Sequence, residues 1–244
     1  ILYRTLADIQ GAGWEQVPFE DGWKLPASFS QPSPEVRLVL LPNPNSPSGT
    51  IVGKDEVRAI ADSLDCPLVV DEAYVDFGGA SASAIPLLAR YPNLLVVQTL
   101  SKSRALAGLR VGFAVGNAQL IEALERVKDS FNSYPLDRLA QVGALAAFED
   151  RAYFEQTCRA VIASRETLIG DLRKLGFEVL PSAANFVFAR HPARDAGELA
   201  TALRERSIIV RHFKQPRIEQ FLRISIGTDV QCAALVSALR EVLR

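Results

Sequence analysis

Leu94-Leu95-Val96-Val97-Gln98-Thr99-Leu100-Ser101-Lys102 decides how this chain folds. Leu94 to Val97 is an unbroken apolar run, the pattern of a strand buried on both faces of a parallel sheet. The run stops at two hydroxyls and a lysine. Two other segments have the same form. Val36-Arg37-Leu38-Val39-Leu40-Leu41 is almost continuously apolar and ends in Pro42–Thr50. Three prolines and a glycine in those nine residues forbid helix and predict a rigid turn. Pro67-Leu68-Val69-Val70 ends at Asp71-Glu72-Ala73-Tyr74. Val111 to Val115 reads as a fourth strand. Helical periodicity at Lys54–Leu64 and a short helix at Ser83–Arg90 separate these strands. Alternation of this kind predicts an α/β fold with a mainly parallel central sheet and crossover helices.

Working outward, Leu2–Gln10 reads as a short helix and Trp14–Phe19 as a strand. Asp21–Glu35 is a connection rich in Pro and Ser. Beyond Asn117 the texture changes. Residues 118–130, 136–149 and 152–175 read as helices, the last long enough to bridge two domains. Strands are expected at 177–180, 185–190, 208–213 and 221–226, with helices near 195–206 and 229–243. That order suggests a smaller α+β domain. The expected division is a large domain over 1–150, then a linking helix and small C-terminal domain over 151–244.

Composition narrows the class of function. The 244 residues are 48% hydrophobic and 23% charged, ordinary for a globular protein. A formal net charge of −1 gives no pull toward nucleic acid or an anionic membrane. No apolar run approaches the roughly 20 residues that span a bilayer. Cys66, Cys158 and Cys232 form no CxxC pair and match no zinc spacing, which points to a reducing cytoplasm. With His191 and His212 as the histidines, no metal centre is expected. Ile1 opens a chain without any Met, which predicts a start inside a longer protein.

The chemistry gathers at strand ends, where open parallel sheets bind ligands. Taken singly, each group is ordinary: an aspartate after a strand often caps a helix, and a lysine there is usually a surface lysine. Three such ends on one sheet edge are not. Lys102 beside an apolar edge sheds its proton more easily and can condense with an aldehyde. Thr99 and Ser101 flank it with hydroxyls for a phosphate, and Arg110 adds a fixed cation. Ala105 to Leu109 is small and apolar and allows a tight turn. Asp71 suits a protonated heteroaromatic nitrogen, the partner that pyridoxal phosphate requires to act as an electron sink. Tyr74 suits a phenolate oxygen on the same ring.

Thr99-Leu100-Ser101-Lys102-Ser103-Arg104-Ala105-Leu106-Ala107-Gly108-Leu109-Arg110-Val111-Gly112 resembles the lysine segment of fold-type-I aminotransferases, closest to the histidinol-phosphate aminotransferase family. Asp71-Glu72-Ala73-Tyr74 is similar to that family's pyridine-nitrogen segment, and Asn43–Thr50 to its Asn-Pro-Asn-Asn-Pro-Thr-Gly turn. Ala184–Val187, Ile209–Arg211 and Leu222–Thr228 match as well. The resemblance implies a large domain of the pyridoxal-phosphate-dependent transferase type. It implies Lys102 as the lysine that holds the cofactor and as the base for the proton shift. Asp71 would pair with the ring nitrogen, Tyr74 with the ring oxygen, and Thr99, Ser101 and Arg110 with the cofactor phosphate. Arg223 would take the carboxylate of glutamate, Arg211 would assist with a substrate phosphate, and Asn185 would line the substrate side. A homodimer, an amino donor and a 2-oxo acid follow from the same likeness, as does a cis Ser46–Pro47 bond.

Two departures qualify it. The family's ring-oxygen asparagine sits directly before Pro-Thr-Gly, and here that position is Ser46. Its shorter hydroxyl reaches only through water, or Asn45 contributes. The family also carries about a hundred residues before the equivalent of Ile1, including a phosphate loop and a stacking aromatic. These 244 residues alone are therefore expected to bind the cofactor weakly. Threonine-phosphate decarboxylases and aromatic-amino-acid aminotransferases share the machinery and remain alternatives. A non-catalytic domain of this fold is another, and a nucleotide-binding module is weaker because GxGxxG and a Walker lysine are missing.

Overall fold

A computed structural model gives the fold; it describes residues 2–79 and 81–244. Helix α1 (Leu2–Gln10) comes first, followed by a long irregular stretch. Strands β1 (Val39–Pro42), β2 (Leu68–Asp71), β3 (Leu94–Thr99) and β4 (Gly112–Gly116) form one sheet in that order. β1, β2 and β3 run parallel, and β4 returns antiparallel to β3. Helix α2 (Lys54–Ser63) makes the first crossover. Glu56 accepts from the Gly53 amide at 3.1 Å and satisfies one free donor at its start.

Helices α3 (Ala118–Phe131), α4 (Arg138–Glu149) and α5 (Arg151–Lys174) follow. Asp137 and Asp150 cap α4 and α5, accepting from the Ala140 and Tyr153 amides. The second sheet has the order β5-β6-β8-β7, with every pair antiparallel: β5 (Glu178–Val179), β6 (Phe186–Arg190), β7 (Arg211–His212) and β8 (Leu222–Ser225). Helices α6 (Ala196–Glu205) and α7 (Asp229–Val242) cover it together with α5.

Each sheet has its own core. In the first, Leu68, Val70, Leu94 and Val96 are wholly buried against Val57 and Ile60 of α2. Each such side chain contributes about 1.5–3 kcal/mol relative to exposure. In the second, Leu168 and Leu172 of α5 meet Val187, Leu222 and Leu239. Val39 and Leu41 are buried while Leu40 is half-exposed, and Val69 and Val97 are also half-exposed. An apolar run reads the same whether one face or both are covered.

Three local expectations change. Trp14–Phe19 forms no strand. Ser83–Arg90 yields only a 3-10 turn at Ile85–Leu87, with Pro86 inside it. Several strands are shorter than expected: the first begins at Val39 rather than Val36, and in the small sheet three shrink to Glu178–Val179, Arg211–His212 and Leu222–Ser225. The long helix and the other helices stand within about two residues of their expected bounds, ordinary fraying at helix ends. No helix is long and apolar enough to cross a membrane, among the described residues. No group of three or more metal-ligating side chains is found there either.

Candidate active site

The register aligns the ends of the parallel strands. Pro42 stands level with Asp71, and Asp71 with Val97. The chain after each end therefore opens on one edge. After β1, the Asn43 amide donates to the Asp71 carbonyl at 2.8 Å, and its side chain clasps Val52 with two bonds. The Asn43–Pro44 and Ser46–Pro47 bonds are both cis, the second as expected. Gly49 has φ +77°, and a Cβ there would lie 2.6 Å from Ser182 Oγ. Its carbonyl accepts from the Ala183 amide at 2.8 Å, so the turn rests against the connection between β5 and β6 of the second sheet. Asn45 spends its amide on Ser48 Oγ at 2.7 Å inside the turn and is buried, whereas Ser46 is exposed.

After β2, both Asp71 oxygens are engaged. Oδ1 accepts from the Ala73 amide at 3.0 Å and Oδ2 from the Tyr3 hydroxyl at 2.6 Å. Burial, reinforced by Asp71, pushes the Tyr3 phenol well above its usual range, so it stays protonated and donates. Glu72 turns the opposite way and is buried. It accepts from Ser83 Oγ at 2.7 Å, the Ala84 amide at 2.5 Å and Gln98 Nε2 at 2.8 Å. Burial pushes its carboxyl up, against the pull of these three donors. Tyr74 packs edge-on to Phe186 at 5.1 Å.

After β3 comes Lys102, whose Nζ lies 5.5 Å from the Tyr74 ring centroid. The desolvated surroundings expected for its amine are not found: Lys102 is exposed. The apolar edge lies behind the lysine rather than around it. Its neighbours are tightly held. Ser103 donates to Asp76, and Arg104 donates to the Ala147 carbonyl while lying over the rings of Phe148 and Phe154. Thr99 Oγ1 donates to Ser101 Oγ at 3.0 Å. Arg110 stands two residues before Gly112, which pairs with Thr99. It adopts a left-handed φ of 55° and is exposed, its guanidinium donating to the Ala107 carbonyl at 2.8 Å.

The second sheet contributes across the gap. Arg223 reaches from β8 to Ser46 Oγ at 3.2 Å. Its Nε is buried without a hydrogen-bond partner among the described residues. Arg211 pairs directly with Arg223 in the β7–β8 register and is exposed. The Asn185 carbonyl accepts from the Ile226 amide at 2.9 Å, which fixes its backbone just before β6. Lys102 lies by the Tyr74 ring, Tyr74 packs on Phe186, and Arg223 lies over Phe186 and holds Ser46, while the Asp71 carboxylate is held by Tyr3 and Ala73; Lys102, Ser46, Arg110 and Arg211 are all exposed. Tyr3 and Glu72 escaped the sequence reading. The Tyr3–Asp71 bond spans 68 residues and leaves no local signal, and Glu72 reads as the filler of a four-residue motif.

The arrangement offers an amine, a carboxylate with lone pairs to spare, a phenol, a hydroxyl pair and an unpartnered guanidinium nitrogen. That donor set fits pyridoxal phosphate together with an anionic substrate. Comparison with known proteins agrees. Residues 3–239 match the Aminotransferase class I and II family. A histidinol-phosphate aminotransferase of Aromatoleum aromaticum is 61% identical over 246 residues, covering 100% of this chain and 68% of that protein. A histidinol-phosphate aminotransferase of Sinorhizobium meliloti, solved in complex with pyridoxal-5'-phosphate, superposes with a TM-score of 0.86 at 28% identity, covering 99% of this chain and 67% of that one. An L-threonine-O-3-phosphate decarboxylase of Porphyromonas gingivalis shares the fold, with a TM-score of 0.80 at 24% identity over 99% of this chain and 73% of that one. The chain belongs to the class I and II aminotransferases, in the branch of the histidinol-phosphate aminotransferases.

Proposed function

We propose that the protein transaminates histidinol phosphate, with glutamate and 2-oxoglutarate as the second pair, in histidine biosynthesis. The carrying observation is the convergence of Lys102, Asp71 and Tyr74 on one sheet edge, with Arg223 reaching that edge from the second sheet. The 61% identity to a histidinol-phosphate aminotransferase favours this substrate over the phosphothreonine of the decarboxylase, whose 24% identity speaks for the fold alone.

Pyridoxal phosphate, when bound, supplies an aldehyde and an electron-withdrawing ring. Lys102 holds that aldehyde and moves the substrate proton. Asp71 keeps a proton on the ring nitrogen, and Tyr74 donates to the ring oxygen. Thr99, Ser101 and Arg110 would bind the cofactor phosphate. Ser46 and Asn45 shape the turn beside the ring, and Ser46 presents Arg223. Arg223 and Arg211 sit opposite each other as like charges, an arrangement that costs energy until an anion lies between them. Arg223 reads the glutamate carboxylate, Arg211 assists with the substrate phosphate, and Asn185 lines that side.

In this reading residues 1–150 bind the cofactor and 151–244 form the linking helix and small domain, and the loop before β1 also reaches the second sheet. The Trp23 ring packs edge-on to Phe188 and Phe221, and Arg217 donates to the Phe19 carbonyl at 2.7 Å. A homodimer and a cytoplasmic setting complete the reading; the three free cysteines suit the latter.

The covalent link is the direct test. Pyridoxal phosphate added to the protein should be fixed by borohydride on the peptide carrying Lys102. Lys102→Ala should abolish the label. A label on another lysine would reject the assignment.

A further inference from the structure

We propose that Tyr3 is a positioning residue for the ring-nitrogen partner: its hydroxyl fixes the Asp71 carboxylate in the orientation that meets the cofactor. The proposal rests on the reading of Asp71 given above. Its first support is geometric. The Tyr3 oxygen lies 2.6 Å from Asp71 Oδ2, within the short range of a hydroxyl bonded to a charged oxygen. The Ala73 amide takes Oδ1 at 3.0 Å. Both torsions of the Asp71 side chain are therefore set by two donors on different elements. An ionised carboxylate has about four acceptor sites, so two donors leave room for a ring N–H.

The second support is what α1 does otherwise. None of its residues is buried, and Leu2, Leu6 and Ile9 are exposed. An apolar face does not hold this helix to the sheet. Tyr3 is half-buried and reaches Asp71 over 68 positions of sequence. The bond sets a phenol of α1 at the strand end, where it can hold the carboxylate still. The proton stays on the phenol, because burial and the facing carboxylate both oppose its loss. Tyr3 thus acts as a fixed donor that leaves the negative charge on Asp71. The carboxylate is oriented before the cofactor arrives, and binding need not spend free energy on freezing it.

Tyr3→Phe tests the proposal, read with pyridoxal phosphate labelled with 15N in the ring. The ring-nitrogen resonance of the bound cofactor should move. Cofactor affinity should fall roughly ten-fold, the loss expected for one hydrogen bond to a charged group. The turnover number should fall while KM for glutamate stays nearly level. Two comparisons separate the possibilities. Asp71→Asn must move the same resonance, and if it does not, the assignment of Asp71 itself fails. A moved resonance in Asp71→Asn with an unmoved one in Tyr3→Phe overturns the role of Tyr3 alone. Leu6→Ala, on the same helix and exposed, should leave resonance and affinity unchanged. A change equal to that of Tyr3→Phe would overturn the proposal, assigning the effect to docking of α1 as a whole.

Discussion

Arg223 and Arg211 face each other across the β7–β8 pair, and only one of them is tied down. Arg223 holds Ser46 and lies over the Phe186 ring, so its fork is pre-oriented for a planar carboxylate. Lysine has the charge without that fork. Arg223→Lys should raise KM for glutamate and lower kcat/KM with it by roughly 10- to 100-fold, with a smaller effect on histidinol phosphate. Arg211→Lys should show the reverse bias. Half-reaction kinetics with each donor measure both; equal losses in both variants would remove the division of labour. Glu72 gives a second prediction. Its folded pKa is raised above the ordinary value of 4.5, so the fold holds the proton longer than the unfolded chain does. The sign follows from linkage: stability is full below the unfolded pKa and is lost as pH rises through the folded one. Thermal melts of Glu72→Gln should lack this fall, while the parent protein shows it. Lys102, Asp71 and Tyr74 were legible in the sequence because each follows an apolar strand within a few positions. Tyr3 was not, because nothing within its helix points to a strand end 68 residues away.

Among the elements, α5 joins the two sheets through one buried side chain. Arg165 donates from one nitrogen to the Phe77 carbonyl and the Ala184 carbonyl, each at 3.0 Å. Phe77 lies just beyond the Asp71–Tyr74 segment, and Ala184 just before Asn185 and β6. The helix thus fixes both halves of the site at one point. Arg165→Met keeps most of the volume and leaves two carbonyls without this donor. A loss of about 2–4 kcal/mol in urea unfolding is expected. A loss below half of that would show water replacing the guanidinium. The same scale explains where periodicity succeeded. α4, α5 and α7 begin at Asp137, Asp150 and Thr228, whose side chains accept from the first turn, so pattern and cap agree. Trp14–Phe19 reads as a strand from its apolar residues, but Pro18 has no N–H to give and, among the described residues, no strand pairs with it. Propensity without a ladder partner does not make a strand. β4 was read as a strand without its direction, since residues 111–115 carry no mark of parallel or antiparallel pairing.

At the scale of the molecule, each sheet has its own core, a third small cluster gathers Leu100, Val111, Ala140 and Ala144, and the proposed site lies where Arg223 crosses to Ser46. The order of strands and helices made the two separate sheets readable, while the crossing of Trp23 to the small sheet was not, because it depends on the path of an irregular loop. What the fold leaves uncovered is the surface of α3, α4 and the link between them. Phe131 is 80% exposed, Tyr134 92% and Leu139 80%, and Val127 and Val142 are exposed as well. Isolated apolar residues on a surface are normal, but a row of them along two consecutive helices is a surface that either a further part of a longer chain or a second chain can cover. A second copy of the chain is the occupant that the proposed homodimer supplies. A charge placed in the middle of such a surface must be desolvated unpaired when the copies meet. Phe131→Asp and Leu139→Asp should therefore each weaken self-association by roughly 30-fold or more, the effect of losing a central interface residue. Neither side chain packs in the core of its own chain, so thermal stability at high dilution should change little. Sedimentation velocity across a concentration series reads the association directly. An unchanged association constant in both variants would place the dimer contact on another face, and the apolar row on α3 and α4 would then need a different partner.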